Sequence, residues 1–443
     1  MVKNLPVEAS RIEQDIEALA RITEPDRPYT RRVFSPFYHQ GRAYLEKRMR
    51  EAGLETRIDV AGNLIGRRSG SGQQREQGRG QGPAVIMLGS HSDTVPAGGR
   101  FDGIAGVVAA LEVARALSEL GIELVHDLEV VDFLAEEVSP FGVSCIGSRG
   151  MTGQLPQQWL SRVSDGLMLK TALEDAGGDA QAVVSHRRDD LAAFLELHIE
   201  QGPVLETTQS DIGIVTAIAG ISRFEIILEG RPDHAGTTPM QQRCDALVAA
   251  ARLVLDINQY AIDQAAMPGH FTATVGEFSI EPNAANVVPA QARLLIDARA
   301  EYGDAMQHFA LWLDAAAISV ASSHDVRIAG LTRLSDNSAS PSDDQVLAHL
   351  EQACQKLGAS FCRLASGAGH DAAWLSKITP SAMIFVPSRG GRSHTPDEWT
   401  ETSEITLGAA VLYQAVISLD EALSKPNAIK GEGNGTYPGG ERR

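Results

Sequence analysis

The sequence predicts a mixed α/β fold, in which a mostly parallel sheet with helices forms one domain and a smaller α+β domain is inserted into it. Short, continuously apolar segments alternate with helical segments in the first and last parts of the chain. This pattern is typical of parallel strands that are covered on both faces. In the middle of the chain, alternation of apolar and polar residues is typical of half-exposed antiparallel strands.

Helical spacing of apolar residues predicts helices at the start of the chain, and a strand pair follows at 55–60 and 63–67. Four apolar segments are then predicted to form the parallel strands, and a helix with Ala, Val and Leu side chains at 103–120 follows the first of them. The four segments are 84–88, 128–134, 192–197 and 382–386.

The spacing of apolar residues in the middle of the chain predicts strands and helices in the order β-α-β-β-α-β. This is the order of a small ferredoxin-like domain. We therefore expect a large domain in two parts, 1–214 and 333–424, with the inserted domain at 215–332. The polar, Gly-rich C-terminal segment predicts a disordered tail at 425–443. The six middle elements lie at 223–228, 245–260, 271–278, 293–297, 304–321 and 326–331.

Composition excludes several classes of protein. The 443 residues carry a net charge of −18, so the chain lacks the general positive charge that attracts nucleic acid or anionic membranes. We expect neither a membrane span nor a signal peptide, because there is no uninterrupted apolar run of about 18 residues and the first 20 residues contain no long apolar core. The four cysteines form no CxxC pair, which argues against a disulfide scaffold or a thiolate zinc site. The Gly-rich segment 69–82 is predicted to be an exposed flexible loop. A cytoplasmic enzyme is expected, without nucleic-acid or membrane partners.

Histidines and carboxylates lie at or just after the ends of all four predicted parallel strands. In an open α/β sheet, ligands bind outside the carboxyl ends of the strands, so these side chains are expected to converge. Singly, each has an ordinary explanation, such as a helix N-cap for Asp102, a core histidine for His198 or an exposed loop residue for His394. Together they favour a binding site formed by His91, Glu136, Glu137, His198 and His394.

The residue types indicate two divalent metal ions, with zinc as the first choice and manganese or cobalt as alternatives. Paired ions require a shared carboxylate, and Asp102 can bridge them because it lies directly before the helix predicted at 103–120. We expect His91, Asp102 and His198 to hold one ion. Asp102, Glu137 and His394 are expected to hold the other.

The adjacent glutamates predict two different roles. Neighbouring side chains in extended backbone point in opposite directions, so Glu137 can bind an ion while Glu136 faces the attacking water. Glu136 is then the expected general base, which later protonates the leaving amine. Asp93 lies two residues after His91 and is expected to orient its ring from the second coordination sphere.

These segments closely resemble the hydantoinase/carbamoylase amidase family, within the aminoacylase-like di-zinc peptidase superfamily. The resemblance extends from about residue 84 to residue 420. HIEQGPVLE and DHAGTTPM are quite specific to this branch. Other matching stretches are GSHSDTVPAGGRFDGIAGV, FLAEE, CIGSRGMTG, NAANVVP, IDARA, SGAGHDA and MIFVPSRGGRSHTPDEW.

The resemblance implies a homodimer formed through the inserted domain, which would act as a lid. His234 resembles the lid histidine that reaches the neighbouring active site and polarises the scissile carbonyl. Asn286 and Arg299 resemble the pair that holds the substrate's carboxylate, and an arginine suits this because its planar fork matches a carboxylate. Gln201 and Gly369 match positions that contact substrate.

The resemblance further implies hydrolysis of an N-carbamoyl-L-amino acid to the amino acid, CO2 and ammonia, through a hydroxide that bridges the two ions. Allantoate, N-carbamoyl-β-alanine and N-acyl amino acids are alternative substrates, and an exopeptidase or a non-catalytic binding protein is a more distant alternative. Many family members have Gly and Arg just after the paired glutamates, where 138–141 here reads Val-Ser-Pro-Phe. Ile221 replaces a polar residue of allantoate-type relatives, which favours an amino-acid side chain in the pocket.

Overall fold

A computed structural model describes residues 5–74 and 84–425. Most of the predicted flexible loop at 69–82, and all but the first residue of the predicted tail at 425–443, lie outside the described residues. Where the loop is described, Ser71–Gln74 forms a short 3-10 helix. Its backbone is tied to neighbouring chain, because the amide of Ser71 donates to the carbonyl of Leu124 over 2.8 Å.

The helices and strands alternate along most of the chain. The α-helices are α1 (Ala9–Arg21), α2 (Pro36–Glu51), α3 (Ile104–Glu119), α4 (Ile146–Met151), α5 (Leu169–Asp175), α6 (Val204–Thr208), α7 (Ala246–Ala265), α8 (Gly303–Ser323), α9 (Asp344–Leu357), α10 (Ala372–Leu375) and α11 (Thr402–Leu423). The strands are β1 (Glu55–Ile58), β2 (Leu64–Arg68), β3 (Val85–His91), β4 (Asp127–Phe133), β5 (Val163–Ser164), β6 (Leu167–Met168), β7 (Leu191–Ile199), β8 (Ile212–Ile218), β9 (Gly220–Glu229), β10 (Phe271–Glu281), β11 (Gln291–Ala300), β12 (Arg327–Asn337), β13 (Ser340–Pro341), β14 (Phe361–Ser366) and β15 (Ser381–Val386).

The chain divides into two compact units, here called unit 1 and unit 2. Unit 1 comprises Met1–Ile212, Asp344–Phe361 and Ile378–Arg443. Unit 2 comprises Gly213–Asp343 and Cys362–Lys377. Unit 2 thus extends beyond the segment 215–332 that the strand pattern singles out, because 333–343 and 362–377 make their contacts there as well.

Unit 1 contains a mixed, mostly parallel sheet with the strand order β1-β2-β4-β3-β7-β15. Strands β4, β3, β7 and β15 run parallel, and β2 and β1 add an antiparallel edge. Every residue of β3, β4 and β15 is buried. Burial on both faces explains why these strands are rich in apolar residues on both sides, although β4 also buries the carboxylates of Asp127, Glu129 and Asp132. The predicted α/β class is confirmed.

Helix α11 packs against α3, α9, β7 and β15. Among the described residues it alone has the length and apolar composition of a membrane-crossing helix, and 61% of its most apolar window is buried inside the protein. This burial is the arrangement of a core helix. The same packing accounts for the apolar sequence of α11, since most of its circumference contacts other elements.

Unit 2 contains a four-stranded antiparallel sheet with the order β10-β11-β9-β12. Its elements follow the chain as β9-α7-β10-β11-α8-β12, which is the predicted order. Burial alternates along β9 and β11, and the inward side chains form a core with α7 and α8. The side chains on the other face of the sheet include that of Arg299.

Candidate metal centre

The parallel strands of unit 1 bring the predicted ligands to one edge of the sheet. Strands β4, β3, β7 and β15 are consecutive neighbours, so their carboxyl ends meet. His91 is the last residue of β3, and His198 is the last but one of β7. Glu137 follows β4 and His394 follows β15, each after a short loop. The structure therefore brings together residues that are more than 300 positions apart in sequence.

The first group consists of His91, Asp102 and His198, and it is buried. The Nε2 atom of His198 lies 3.1 Å from Oδ1 of Asp102, and Nε2 of His91 lies 3.7 Å from the same oxygen. Both imidazole side chains are 1% exposed. Each Nδ1 faces a backbone carbonyl, that of Asp93 at 3.0 Å and that of Ile199 at 2.9 Å. These contacts leave the Nε2 atoms directed at Asp102, as metal-binding histidines require.

The second group consists of Asp102, Glu137 and His394. The Nε2 atom of His394 lies 3.0 Å from Oδ2 of Asp102 and 3.2 Å from Oε1 of Glu137. Asp102 therefore presents a different carboxylate oxygen to each group, as a bridging ligand would. The side chain of His394 is 50% exposed, so the second group is more open to solvent than the first.

The electrostatics of both groups fit divalent cations. Hydrogen bonds to Asp102 and Glu137 raise the pKa of His394 to about 10. Burial alone would lower the pKa of His91, but the carboxylates of Glu136, Asp93 and Asp102 outweigh it and hold that pKa well above its usual value. The carboxylates thus create a strongly negative site. Nitrogen and carboxylate ligands without thiolate suit zinc, manganese or cobalt.

Gly103 is required by the close packing around Asp102. It precedes α3 with φ 66°, a left-handed conformation that favours glycine. A Cβ atom at this position would lie 2.4 Å from Nε2 of His91. A side chain here would therefore displace the imidazole from the first group.

Asp93 has a broader role than the orientation of one ring. Its Oδ1 accepts a hydrogen bond from the amide of Glu136, and its Oδ2 accepts one from the amide of Glu137, both over 3.2 Å. The ring of His91 lies closer to the carbonyl of Asp93 than to its carboxylate, which is 3.5 Å away. Asp93 thus fixes the backbone of both glutamates. Glu136 then places Oε2 3.6 Å from Nε2 of His91.

Three polar side chains lie around the shared carboxylate, and the sequence resemblance implies a role for only one of them, Gln201. Gln201 donates through Nε2 to Oδ2 of Asp102 and to the hydroxyl of Ser393, both over 3.1 Å. Glu398 accepts a hydrogen bond from the amide of Asp102 over 3.2 Å. Ser393 and Glu398 lie in the loop around His394, and no spacing rule distinguishes them there from other polar loop residues.

His234 and Asn286 lie side by side at one end of unit 2. Residue 234 forms an antiparallel bridge with Val287, and the amide of Ala235 donates to the carbonyl of Asn286 over 3.0 Å. Both side chains are exposed. The Nδ1 atom of His234 accepts a hydrogen bond from the amide of Gly236 over 3.0 Å, which leaves the other ring nitrogen directed away from this turn.

Arg299 lies on β11, near its C-terminal end. Its guanidinium donates to Oδ1 of Asp297 over 2.8 Å and to the carbonyl of Gly367 over 2.7 Å. Gly369 follows two residues later, and no described heavy atom lies within 4 Å of where its Cβ would be, apart from its chain neighbours. Ile221 lies opposite Arg299 on β9. All three residues belong to unit 2. Arg299 relates the other two, because it contacts the loop that contains Gly369 and lies opposite Ile221 in the strand register.

Asn286 and Arg299 are at opposite ends of the same sheet. The loop that contains Asn286 leads into Gln291, the first residue of β11, whereas Arg299 is the ninth residue of that strand. Eight residue steps of a strand span roughly 27 Å. Within one chain, the side chains of Asn286 and Arg299 are therefore too far apart to bind the same carboxylate group.

Comparison with known proteins identifies clear relatives. Residues 87–418 match the family described as Peptidase family M20/M25/M40. The chain is 36% identical to the N-carbamoyl-L-amino-acid amidohydrolase of Paenarthrobacter aurescens, over 93% of this chain and 98% of that protein. It is 35% identical to the allantoate amidohydrolase of Bacillus subtilis (strain 168), over 91% and 96%. It is 32% identical to the ureidoglycolate hydrolase of Oryza sativa subsp. japonica, over 93% and 85%.

A solved structure shows the same fold. The amidase of the hydantoinase/carbamoylase family from Burkholderia multivorans superposes with a TM-score of 0.86 at 33% identity, over 94% of this chain and 98% of that one. The resemblance that the sequence motifs indicate is confirmed by these comparisons.

Proposed function

Because this chain belongs to peptidase family M20/M25/M40 and is a hydrolase of C–N bonds in linear amides, we propose that it hydrolyses an N-carbamoyl-L-amino acid to the amino acid, CO2 and ammonia. Similar proteins are named for N-carbamoyl amino acids, allantoate or ureidoglycolate, and all of these substrates carry a ureido group and a carboxylate. The observation that supports the proposal best is the pair of ligand groups that share Asp102.

Two divalent ions are proposed to bind at these groups, one held by His91, Asp102 and His198 and the other by Asp102, Glu137 and His394. When bound, such ions lower the pKa of water and polarise a carbonyl oxygen. Zinc is the first choice for this donor set, with manganese or cobalt as alternatives.

Glu136 is proposed to be the general base. Its carboxylate lies beside the first group, 3.6 Å from Nε2 of His91, and its backbone is fixed by Asp93. Glu136 takes a proton from the water that attacks the ureido carbonyl and delivers it to the leaving nitrogen. Proton transfer by a positioned side chain typically contributes 10²- to 10⁴-fold to the rate.

Arg299 is proposed to bind the carboxylate of the substrate. Its guanidinium is held in place by Asp297 and the carbonyl of Gly367, so little side-chain freedom is lost on binding. Ile221 lies across from it and offers an apolar neighbour, which suits an amino-acid side chain better than a second ureido group. Gln201 and Gly369 are proposed as further substrate contacts.

His234 and Asn286 are proposed to serve the active site of a second chain, with unit 2 as the lid and the dimerisation domain. The roughly 27 Å of strand between the Asn286 loop and Arg299 supports this arrangement, because two chains can combine opposite ends of the sheet at one carboxylate. His234 then donates a hydrogen bond to the developing oxyanion, an interaction that is typically worth about 3–4 kcal/mol.

The exposed surface of unit 2 also supports a homodimer. Apolar side chains recur every seven residues on the outer sides of α7 and α8, where heptad spacing places them on one helix face. Exposed apolar side chains aligned on one helix face favour contact with another protein surface. They consist of Val248, Leu255 and Ile262 on α7, and Leu311 and Ile318 on α8. We propose that the dimer acts in the cytoplasm.

A substrate panel tests the proposed activity. The metal-loaded enzyme is incubated with N-carbamoyl-L-amino acids, N-carbamoyl-β-alanine, allantoate, ureidoglycolate, N-acetyl amino acids and dipeptides, and the released amine or ammonia is measured. We expect the highest kcat/KM with an N-carbamoyl-L-amino acid that has an apolar side chain. A higher kcat/KM with allantoate or ureidoglycolate would contradict the substrate assignment, and turnover of dipeptides alone would indicate an exopeptidase.

A further inference from the structure

The carboxylate of Glu398 connects the two loops that carry Asp102 and His394. Its side chain is buried, with a relative exposure of 1%. Oε1 accepts hydrogen bonds from the amides of Phe101, over 2.8 Å, and Asp102, over 3.2 Å. Oε2 accepts a hydrogen bond from the hydroxyl of Ser393 over 2.7 Å. One buried carboxyl group thus contacts both the backbone before Asp102 and the loop that carries His394.

These contacts act on one oxygen of the shared carboxylate. Oδ2 of Asp102, which faces His394, lies 3.1 Å from Nε2 of Gln201 and 3.4 Å from the hydroxyl of Ser393. Oδ1, which faces the first group, makes its described contacts with His91 and His198. The network that begins at Glu398 is therefore directed at the second group.

The loop before Asp102 is shaped around Glu398. Gly99 has φ 115°, and a Cβ atom there would lie 2.3 Å from Oε1 of Glu398. A glycine at this position lets the backbone close onto the carboxylate. Glu398 is thus held between the Gly99–Asp102 backbone and Ser393, with little room to move.

The two ligand groups differ in how much they depend on such support. His91 and His198 are buried on strands, and each ring is held by a backbone carbonyl. His394 is half exposed, lies in a loop and has φ 55°. The second group therefore relies on its surroundings to keep its ligands in place.

We propose that Glu398 is a positioning residue for the Asp102–Glu137–His394 half of the metal centre. It holds the backbone of Asp102 and the hydroxyl of Ser393 so that Oδ2 of Asp102 and Nε2 of His394 face the same point. The inference rests on the proposed two-ion centre and adds that the affinity of the second ion depends on Glu398.

Titration of the metal-free protein with Mn²⁺ tests the inference, with free Mn²⁺ measured by electron paramagnetic resonance. The wild-type protein is expected to bind two ions. Glu398→Ala should leave the affinity of one ion within a few-fold and weaken the other about 10- to 100-fold, as loss of an outer-sphere partner typically does. Glu398→Gln keeps an oxygen for the two backbone amides and should restore most of the second affinity.

Asp420→Ala is the matched control. Asp420 is also a buried carboxylate of unit 1 that accepts hydrogen bonds from two consecutive backbone amides, those of Val125 and His126, each over 2.9 Å. Its removal should lower the melting temperature without changing Mn²⁺ binding. If Glu398→Ala does not fold, Ser393→Ala keeps the Glu398 carboxyl group on the backbone amides. It removes the hydroxyl that joins Glu398 to Gln201 and to Oδ2 of Asp102, and should weaken the same ion.

The outcomes separate the inference from the proposed function. Suppose that the wild type binds two ions and that Glu398→Ala binds both with unchanged affinities. The inference is then wrong, while the two-ion centre stands. The same holds for Ser393→Ala where it replaces Glu398→Ala. Equal weakening of both ions, or weakening of the second ion by Asp420→Ala to the same degree, would also overturn the inference. If the wild type binds fewer than two ions, the two-ion centre itself is wrong and the inference fails with it.

Discussion

Asp102 is the residue that both ligand groups share, and its two oxygens face two different histidine environments. Next to it, the paired glutamates point to different partners, since Glu137 contacts His394 and Glu136 lies near His91. The two adjacent carboxylates therefore have different surroundings, which supports the proposed division into a general base and a metal ligand. This division leads directly to a test at the level of single side chains.

Glu136→Gln is expected to lower kcat about 10²- to 10⁴-fold, because the amide cannot accept the proton of the attacking water. The metal content, measured by elemental analysis, should stay at the wild-type level. The matched variant Glu137→Gln should instead lose metal, since it alters a proposed ligand. Near-normal turnover by Glu136→Gln would show that another group is the base.

Much of the candidate site could be predicted from the sequence because its residues follow strands that are readable as apolar segments. His91, Glu137 and His198 lie on or close after such strands, and Asp102 directly precedes a readable helix. Glu398 and Ser393 could not be predicted in the same way. Their contacts depend on how a loop of irregular backbone folds back onto residues 99–102, and no periodicity encodes that path.

At the scale of elements, strand β11 carries two arginines with different surroundings on its solvent-facing side. Arg299 lies near one end, where Asp297 and the loop after β14 hold it. Arg293 lies on the same face further along, where it pairs with Glu225 and Glu277. The alternating pattern predicts which side chains share this face. It does not predict that 362–377 joins unit 2, because that segment is distant in sequence.

Arg299→Ala is expected to raise KM about 10- to 100-fold with a small change in kcat, since charged hydrogen bonds are typically worth about 1.5–3 kcal/mol. The measurement is steady-state kinetics with an N-carbamoyl-L-amino acid. Arg293→Ala, on the same strand and face, is the control and should leave KM unchanged. If Arg299→Ala and Arg293→Ala have the same KM, the carboxylate of the substrate does not bind at Arg299.

At the scale of the whole molecule, the sheet of unit 2 separates residues that the proposed function uses together. The positions of Asn286 and Arg299 at opposite ends follow from the strand register, which the sequence pattern alone does not give. The apolar stripes on α7 and α8 are likewise visible only once the inward side of each helix is known. Both features favour an active site completed by a second chain.

Mixing two inactive variants tests this arrangement. In a heterodimer of Glu136→Gln and His234→Ala chains, one site combines an intact Glu136 with an intact His234 if the histidine comes from the partner. Random reassociation of equal amounts in a two-fold dimer should then recover about a quarter of wild-type activity. If His234 serves its own chain, neither site of the heterodimer is complete, and the mixture should stay inactive.

The central claim is that the residues around Asp102 form a two-metal centre that hydrolyses the ureido bond. The most direct test measures release of free amino acid from N-carbamoyl-L-amino acids by the native protein, by the chelator-treated protein and after return of Zn²⁺ or Mn²⁺. We expect release to be lost on metal removal and restored as two ions bind per chain. Undiminished release by the metal-free protein would contradict the account.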